Sequence, residues 1–204
     1  MKKKITFIAL FYFAILNIFA QSDSLNIYHH PVLGFTIKYS KDWNPINIDD
    51  HYANLKNIKL NDEEFNKLLI KNASIPFFAI SKFKEPYEDL NPSLKINTRP
   101  YGNLQGQPLE VIIKLLIGQF EKIFLDFKIQ QEPIATILNE NKAVYAKFFY
   151  TMKSQDGTEY KTCSEIWLID KGQYFYLIGA GTKQDESNCK REEILGFLNT
   201  IELK

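Results

Sequence analysis

The sequence predicts an α+β fold, an α/β/α sandwich with a central antiparallel sheet, and three observations support this. Four successive strand-like segments in the second half of the chain are separated by short turns. Short connections force neighbouring strands to run antiparallel, so these segments should form a meander. A long amphipathic helix is predicted before the meander and a shorter one after it, which supplies a helical layer for each face of the sheet.

The first half of the chain is expected to form short strands and one helix. β-like runs broken by proline and glycine predict two strands within residues 25–39. Asn61 is followed by three acidic residues, which predicts a helix start because capping side chains and acids are favoured there. The aromatic run at 77–83 and the alternation at 94–98 predict two further strands.

Two amphipathic helices are predicted around the meander. Pro108 suits the first position of the longer helix, because its fixed φ angle is already close to helical. An apolar stripe at helical spacing follows and should face the core: Leu109, Ile112, Ile113, Leu116, Phe120, Ile123 and Phe124. Asp185 or Ser187 can cap the last helix, whose apolar stripe consists of Ile194, Leu195, Leu198 and Ile201.

The meander is predicted as four strands at 129–138, 143–152, 160–169 and 174–180. Turns rich in Asn, Asp and Gly separate them, and such residues are typical of hairpins. Pro133 lies in the first of these strands and cannot donate a ladder hydrogen bond. We therefore expect that strand at an edge of the sheet.

The N-terminal segment has the order of residues found in secretory signal peptides. Three lysines precede an apolar run at 5–20, and a polar stretch at 21–24 follows. The alternative is an uncleaved anchor, but the run is shorter than the roughly 20 residues that a membrane span needs. We expect a signal peptide at 1–20, one globular domain at 21–204, a periplasmic or secreted location, and no stable membrane anchor after cleavage.

Composition and charge exclude several classes of protein. The chain has 204 residues, is 45% hydrophobic and contains few glycines and prolines, so it should fold as one domain with its own core. Removing residues 1–20 takes away three lysines and no acid, which leaves a net charge of about −2. A weakly acidic surface does not attract phosphate backbones, so we expect no nucleic-acid partner.

Cys163 and Cys189 are the two cysteines of the chain. In an exported protein they are expected to form a disulfide, because the compartment is oxidising and the number of cysteines is even. The alternative is two separate buried thiols, since the sequence does not give the Cα separation that the bond requires.

No catalytic residue, cofactor site or metal site is predicted. His29 and His30 are adjacent on a strand and point to opposite faces, so they do not converge on one ion. Gly179 and Gly181 superficially resemble a dinucleotide-binding loop, but Gln184 stands where a third glycine is needed. Turn glycines are the preferred interpretation, and no Gly-x-Ser-x-Gly nucleophile motif occurs.

The predicted strands are unusually rich in aromatic residues. Ordinary core packing explains most of them, and the alternative is an apolar ligand groove or partner patch between the sheet and the long helix. Trp43 is expected in a loop, where it is the candidate surface anchor for a partner. The alternative for Trp43 is to plug the end of the sheet.

Residues 34–43 read Gly-Phe-Thr-Ile-Lys-Tyr-Ser-Lys-Asp-Trp and resemble the opening of PsbP-like domains. In that family a Gly-Phe-x-Ile strand runs into a short loop closed by Trp. The strand around 95–97, the long helix, the meander and the last helix follow in a similar order. The resemblance implies an α/β/α sandwich around an antiparallel sheet, a fold used by the photosystem II extrinsic subunit, by a Ran-binding nuclear protein and by secreted bacterial proteins.

Members of that family share no common activity, so the resemblance does not assign a function. We expect an exported, non-enzymatic binding or accessory protein that recognises an unknown protein partner. The alternative is a carrier of a small apolar ligand in a groove between the sheet and the long helix. An exposed Trp43 within a flat patch favours the first function, and an enclosed aromatic pocket favours the second.

Overall fold

The computed structural model describes residues 25–47, 75–154 and 156–204. Within these ranges ten strands form two sheets, and two α-helices accompany them. The elements are β1 (Leu25–His30), β2 (Phe35–Ser40), β3 (Asn44–Pro45), β4 (Phe78–Ser81), β5 (Ser93–Pro100), α1 (Leu109–Glu121), β6 (Leu125–Leu138), β7 (Asn141–Lys153), β8 (Glu159–Asp170), β9 (Tyr174–Lys183), α2 (Arg191–Leu198) and β10 (Glu202–Leu203).

Two sequence-based predictions fall on parts of the chain outside these ranges. The signal peptide at 1–20 and the helix expected from Asn61 both lie outside the described residues. Both therefore stay predictions. Within the described ranges, no helix is long and apolar enough to cross a membrane.

The large sheet has seven strands in the order β3-β4-β5-β9-β8-β7-β6, and all neighbours are antiparallel. The predicted meander is confirmed, because β6, β7, β8 and β9 pair in succession. β6 lies at the edge of the sheet, as expected from Pro133, and one of the register shifts in its pairing with β7, between Gln131 and Ile134, spans that residue. The hydrogen-bonding edge is therefore irregular where proline lacks a donor.

A small sheet of order β1-β2-β10 and the two helices complete the sandwich. On one face of the large sheet, α2 and the small sheet share a core that includes Phe35, Ile37, Trp43, Leu94, Ile96, Ile178, Leu198 and Ile201. On the other face, α1 shares a second core that includes Ile112, Ile113, Ile117, Val144, Ala146, Phe148 and Leu168. Helices cover both faces, which confirms the predicted α+β sandwich.

The helix boundaries differ from the predicted ones in detail. Pro108 is the N-cap of α1 and not its first helical residue. α2 begins at Arg191, later than caps at Asp185 or Ser187 would place it. The Asp185 carboxylate instead accepts a hydrogen bond from the Ser187 backbone N–H at 3.0 Å, which closes a separate turn before the helix.

The apolar stripe of α1 is buried unevenly. Its buried residues are Ile112, Ile113 and Ile117. Leu116 and Phe120, which belong to the same predicted stripe, are only partly buried against the second core. Both of these side chains border the groove described next.

Candidate functional site

A groove of about 610 Å³ lies on the face of the large sheet that α1 covers only in part. α1 packs against β6, β7 and β8, and no other helix of the described residues lies over the part of the face formed by β5 and β9. The floor of the groove comes from β5, β9 and β8, one wall from the second half of α1, and the other wall from the loop between β4 and β5. Its volume is in the range of pockets that hold small molecules.

Two glycines, Gly179 and Gly181, form the floor in the middle of β9. The interpretation as turn glycines is therefore wrong, because β9 continues to Lys183 and pairs with β5 and β8 on either side. Neither glycine has a positive φ. A Cβ at Gly179 would meet no atom within 4 Å, and one at Gly181 would meet only Ser93 Oγ at 3.6 Å. The backbone therefore does not require glycine at either position.

Glycine in a strand interior costs about 0.5–1 kcal/mol relative to alanine. It is typically found there where another backbone or a ligand approaches the strand closely. Among the described residues no backbone lies within 4 Å of a Cβ at Gly179, so the lack of a side chain there makes the groove deeper.

An aromatic wall borders the floor on the α1 side. The ring of Phe120 stacks on that of Phe148 with centroids 5.5 Å apart, and the ring of Phe124 stacks on that of Tyr150 at 4.0 Å. Leu116 lies one turn before Phe120 and also lines the groove. Phe148 and Tyr150 are buried members of the second core, whereas Phe120 and Phe124 are only partly buried, so this wall is the border of the core along the groove.

A polar row lies along β5 on the other side of the floor. Lys95, Asn97 and Arg99 alternate with core residues and line the groove. Leu94 and Ile96 point to the opposite face, where both are fully buried. One side of the groove is therefore apolar and the other carries two cationic side chains and an amide.

Two atoms of this row are buried and unsatisfied. Among the described residues, neither Asn97 Oδ1 nor Arg99 Nε has a hydrogen-bond partner. Buried polar atoms are nearly always paired, so each such exception calls for an explanation such as a bound group. An acceptor and a cationic donor are available here within one strand.

Burial also shapes the charges of the row. It lowers the pKa of Lys95 to about 8, and the nearby Glu85 carboxylate acts in the opposite direction. Burial likewise lowers the pKa of Arg99, which remains a cation at neutral pH. The groove thus holds positive charge that is poorly solvated.

The loop wall is fixed by contacts at both ends. The rings of Phe83 and Tyr87 stack with centroids 4.4 Å apart. Lys183 Nζ on β9 donates to the Asp89 carboxylate at 2.8 Å, and this hydrogen bond holds the pKa of Asp89 below its usual value. Asn188 Nδ2 donates to the backbone oxygen of Leu90 at 2.7 Å. The wall is therefore built onto the sheet and onto the segment before α2.

The prediction that Trp43 is an exposed anchor is wrong. The side chain is 1% exposed and belongs to the first core. Its indole packs edge-on against Phe197 of α2 at 5.3 Å, and Nε1 donates to the Glu193 carboxylate at 2.6 Å. Trp43 therefore closes the end of the sheet against α2, which is the alternative that the sequence left open.

The predicted disulfide between Cys163 and Cys189 is not formed. Both residues are buried free thiols. Cys163 lies within β8, paired with Phe149 and Thr182 on the neighbouring strands. Cys189 lies before α2, and its Sγ points to the Glu193 carboxylate at 3.8 Å. Each thiol is held by different neighbours, which agrees with the alternative of two separate buried thiols.

The histidines near the start of the described chain serve local structure. His29 on β1 hydrogen-bonds to Thr36 Oγ1 on β2 at 3.0 Å. His30 Nδ1 accepts the backbone N–H of Leu33 at 3.2 Å in the turn that follows. Within the described ranges no group of three or more His, Cys, Asp and Glu side chains is placed to hold a metal ion.

Another cluster of charged groups lies on the opposite face of the sheet. Arg191 Nε donates to both carboxylate oxygens of Glu165, at 2.7 and 2.8 Å, and the Tyr145 hydroxyl donates to the same carboxylate. The guanidinium also lies over the Tyr145 ring, 5.7 Å from its centroid. These groups satisfy one another and attach the start of α2 to the sheet.

The polar row of Lys95, Asn97 and Arg99 was not predicted from the sequence as part of a binding site. Its only signal was the alternation of apolar and polar residues at 94–98, which indicates a half-buried strand with one face in water. A face in water and a face in a groove give the same pattern. What distinguishes them is where α1 ends and where the β4–β5 loop passes, and both depend on tertiary packing.

No protein-family model matches the chain, and no curated protein matches it in sequence. Among solved structures, it is similar to the cyanobacterial PsbP protein CyanoP of Synechocystis, at 12% identity and a TM-score of 0.47, covering 89% of this chain and 93% of that one. It is also similar to LpqN of Mycobacterium tuberculosis, described as involved in cell envelope biogenesis, at 12% identity and a TM-score of 0.47, covering 92% and 96%.

A crystal structure from Bacteroides thetaiotaomicron is similar at 11% identity and a TM-score of 0.46, covering 89% of this chain. The chain spans about half the length of that protein, since it covers 49% of it. At these identities the similarities concern the fold alone. With TM-scores below 0.5 they assign neither a family nor a function, and the resemblance to PsbP-like domains stays a prediction.

Proposed function

We propose that this chain is an exported, non-enzymatic binding protein that carries a small, largely apolar ligand in the groove between the sheet and α1. The observation that carries the proposal is the glycine floor. Gly179 and Gly181 lie inside the central strand with ordinary φ angles and with space above them, so they weaken the strand and enlarge the groove. Glycine is expected at such strand positions where a ligand occupies the space above the strand.

The apolar character of the ligand follows from the aromatic wall. Leu116, Phe120 and Phe124 line the groove although residues of this type gain most from complete burial. A ligand lying against these side chains would remove their exposed surface from water. The volume of about 610 Å³ suits a small molecule better than a protein segment.

The groove offers little for covalent chemistry. No histidine and no cysteine is found among its described lining residues. Glu165 also lines the groove, but its carboxylate is already bound by Arg191 and Tyr145. We propose a binding role without chemistry and assign no residue as catalytic.

The alternative of a protein-binding module depended on an exposed Trp43, and that side chain is buried. The expectation of export still depends on the signal-like segment at 1–20. The proposed function combines ligand binding in the groove with a location outside the cytoplasm. The protein would take up its ligand in that compartment or carry the ligand across it.

The experiment is native mass spectrometry of the full chain purified from the exported fraction of producing cells, compared with the same sample after denaturation. Two variants provide the control. Leu116→Trp places a larger side chain in the groove, whereas Leu115→Trp places it on the outer side of α1, where Leu115 is 50% exposed.

We expect a small-molecule mass that is lost on denaturation in the wild type and in Leu115→Trp, and that is absent in Leu116→Trp. Binding of the neutral apolar dye Nile red should follow the same pattern. A chain that is bare in all three proteins and binds no dye, or one that copurifies with another protein, would contradict the carrier function.

A further inference from the structure

The groove has two chemically different sides, and the distance between them is set by the sheet. Lys95 and Arg99 lie on β5, whereas the rings of Phe148 and Tyr150 lie on β7, three strands away across β9 and β8. Adjacent strands are about 4.8 Å apart, so the cationic side and the aromatic side are about 14 Å apart. A ligand that contacts both sides must be elongated and amphipathic.

The local charge indicates a head group with one negative charge. Lys95 and Arg99 bring two positive charges to the groove, and Glu85 brings one negative charge close to Lys95. The two other acids that line the groove are already paired, Asp89 with Lys183 and Glu165 with Arg191. The cationic side is therefore left with an excess of about one positive charge in a partly dehydrated site.

The hydrogen-bonding groups on the cationic side of the groove also favour an anionic head group. Arg99 Nε is a buried donor without a partner among the described residues, and guanidinium groups bind carboxylates with paired hydrogen bonds. Asn97 stands between Lys95 and Arg99 on the same face of β5, and the Nδ2 group of its amide can donate to a carboxylate, whereas its unpaired Oδ1 can only accept. These three side chains can converge on one small planar anion.

We infer that the ligand of the groove is an amphipathic carboxylate, with its head group bound by Arg99, Lys95 and Asn97 and its apolar tail lying over the glycine floor toward the aromatic wall. This inference rests on the proposed function and adds the chemical class of the ligand. Gly179 is the floor residue directly next to Lys95, so the tail would leave the head group over a position that has no side chain.

Calorimetric binding measurements with ligands that differ only in their head group test this inference. The probes are laurate, dodecanol, dodecyltrimethylammonium and dodecyl phosphate, whose tails are long enough to cross the floor. The proteins are the wild type, Arg99→Gln, and Lys128→Gln as the control. Lys128 is exposed on the edge strand β6 outside the groove lining, so Lys128→Gln also removes one positive charge.

We expect laurate to bind the wild type at least about tenfold more tightly than dodecanol, since a hydrogen-bonded charge contact is worth that much. Arg99→Gln should lose that advantage and keep the affinity for dodecanol, which also shows that the variant is folded. Lys128→Gln should bind both probes as the wild type does. Dodecyltrimethylammonium should bind most weakly.

Different failures point to different errors. Equal affinity for laurate and dodecanol in the wild type would overturn the head-group inference while leaving the apolar carrier intact. Tighter binding of dodecyl phosphate than of laurate would overturn the carboxylate class. If no probe binds and Leu116→Trp changes nothing, the proposed function and this inference both fail.

Discussion

Lys95 on β5 lies directly opposite Gly179 on β9, and on its other side it lies opposite Ala79 on β4. A long cationic side chain thus stands between a position without a side chain and one with a single methyl group. Both members of the Lys95–Gly179 pair are unfavourable for a strand in the middle of a sheet, one because it is a half-buried charge and the other because it is a flexible glycine. Local rules are broken in this way mainly at functional sites.

Gly179→Val should stabilise the protein and weaken ligand binding. A Cβ at this position would meet no atom within 4 Å and φ is not positive, so a β-branched side chain fits the strand. We expect the free energy of unfolding to rise by about 0.5–1 kcal/mol. This corresponds to a Tm increase of about 1–4 °C. Affinity for Nile red should fall, because the valine occupies the floor.

Gly118→Ala is the matched control for this prediction. Gly118 lies inside α1, a Cβ there would also meet no atom within 4 Å, and the residue does not line the groove. It should raise the free energy of unfolding by a similar amount and leave Nile red binding unchanged. If Gly179→Val lowered Tm, or bound the dye as the wild type does, the glycine floor would have no role in binding.

Lys95→Met should stabilise the protein at neutral pH, because it replaces a half-buried cation with an apolar side chain of similar length. The pKa of Lys95 is about 8 in the folded protein against 10.5 for an ordinary lysine. The groups near it are Glu85 from the loop and Arg99 on the same strand. The stabilisation should amount to about 1–3 kcal/mol at pH 7, measured by urea unfolding.

The sign of the pH dependence follows from proton linkage at Lys95. Below pH 8 the lysine is charged in both the folded and the unfolded chain, so the cost of burying the charge is felt in full. Between pH 8 and 10.5 the folded protein releases the proton before the unfolded chain does, so the wild type gains stability relative to Lys95→Met. A difference that is the same at pH 7 and pH 10.5 would show that Lys95 is ordinarily solvated.

The same titration should affect the binding of an anionic ligand. A carboxylate stabilises the charged form of Lys95, so laurate should bind more tightly below pH 8 than above it. Arg99 keeps its charge across this range, which leaves part of the affinity at high pH. Binding of dodecanol to the same protein should show no such step, and calorimetry at pH 7 and pH 9.5 would measure both.

Most of the fold could be predicted from local patterns. The meander follows from alternation and short turns, and Pro133 alone placed β6 at the edge of the sheet, where the structure has it. The apolar stripe of α1 predicted a helix on the core. These features depend on periods of two or 3.6 residues and on proline chemistry, which act within a few residues of each other.

The site depended on contacts between distant parts of the chain. Trp43 is buried because α2, some 150 residues later, packs over it through Phe197 and Glu193. Gly179 lies in a strand and not in a turn because β5 and β8 pair with it on both sides. Neither arrangement can be predicted from the local sequence, since an indole in a loop and a Gly-x-Gly run fit other structures equally well.

The thiols of Cys163 and Cys189 should resist labelling in the native protein. Both are buried and unbonded, and burial raises the pKa of Cys163 to about 11 and that of Cys189 to about 12. Because the thiolate is the reactive form, labelling at pH 8 should be slow without denaturant and should reach both thiols in urea. An intact mass two hydrogens lighter than that of the reduced protein would instead show a disulfide.

Glu165→Gln should destabilise the protein strongly, because it removes the anion that satisfies a partly buried cation. The Glu165 side chain is 7% exposed and that of Arg191 is 31% exposed, with Nη2 of the arginine 2.6 Å from the carboxylate. Removing one partner of a buried ion pair costs about 3–5 kcal/mol. Since water reaches the arginine in part, we expect about 2–3 kcal/mol here, measured by urea unfolding.

Glu159→Gln removes the same charge from a pair that water already solvates. Lys153 and Glu159 are 3.6 Å apart, and both side chains are about half exposed. This variant should change the free energy of unfolding by no more than about 0.5 kcal/mol. Neither variant should alter Nile red binding, because Glu159 does not line the groove and the Glu165 carboxylate, although Glu165 does line it, is directed to Arg191 of α2. Equal costs for the two variants would mean that Glu165 and Arg191 do not hold α2 on the sheet.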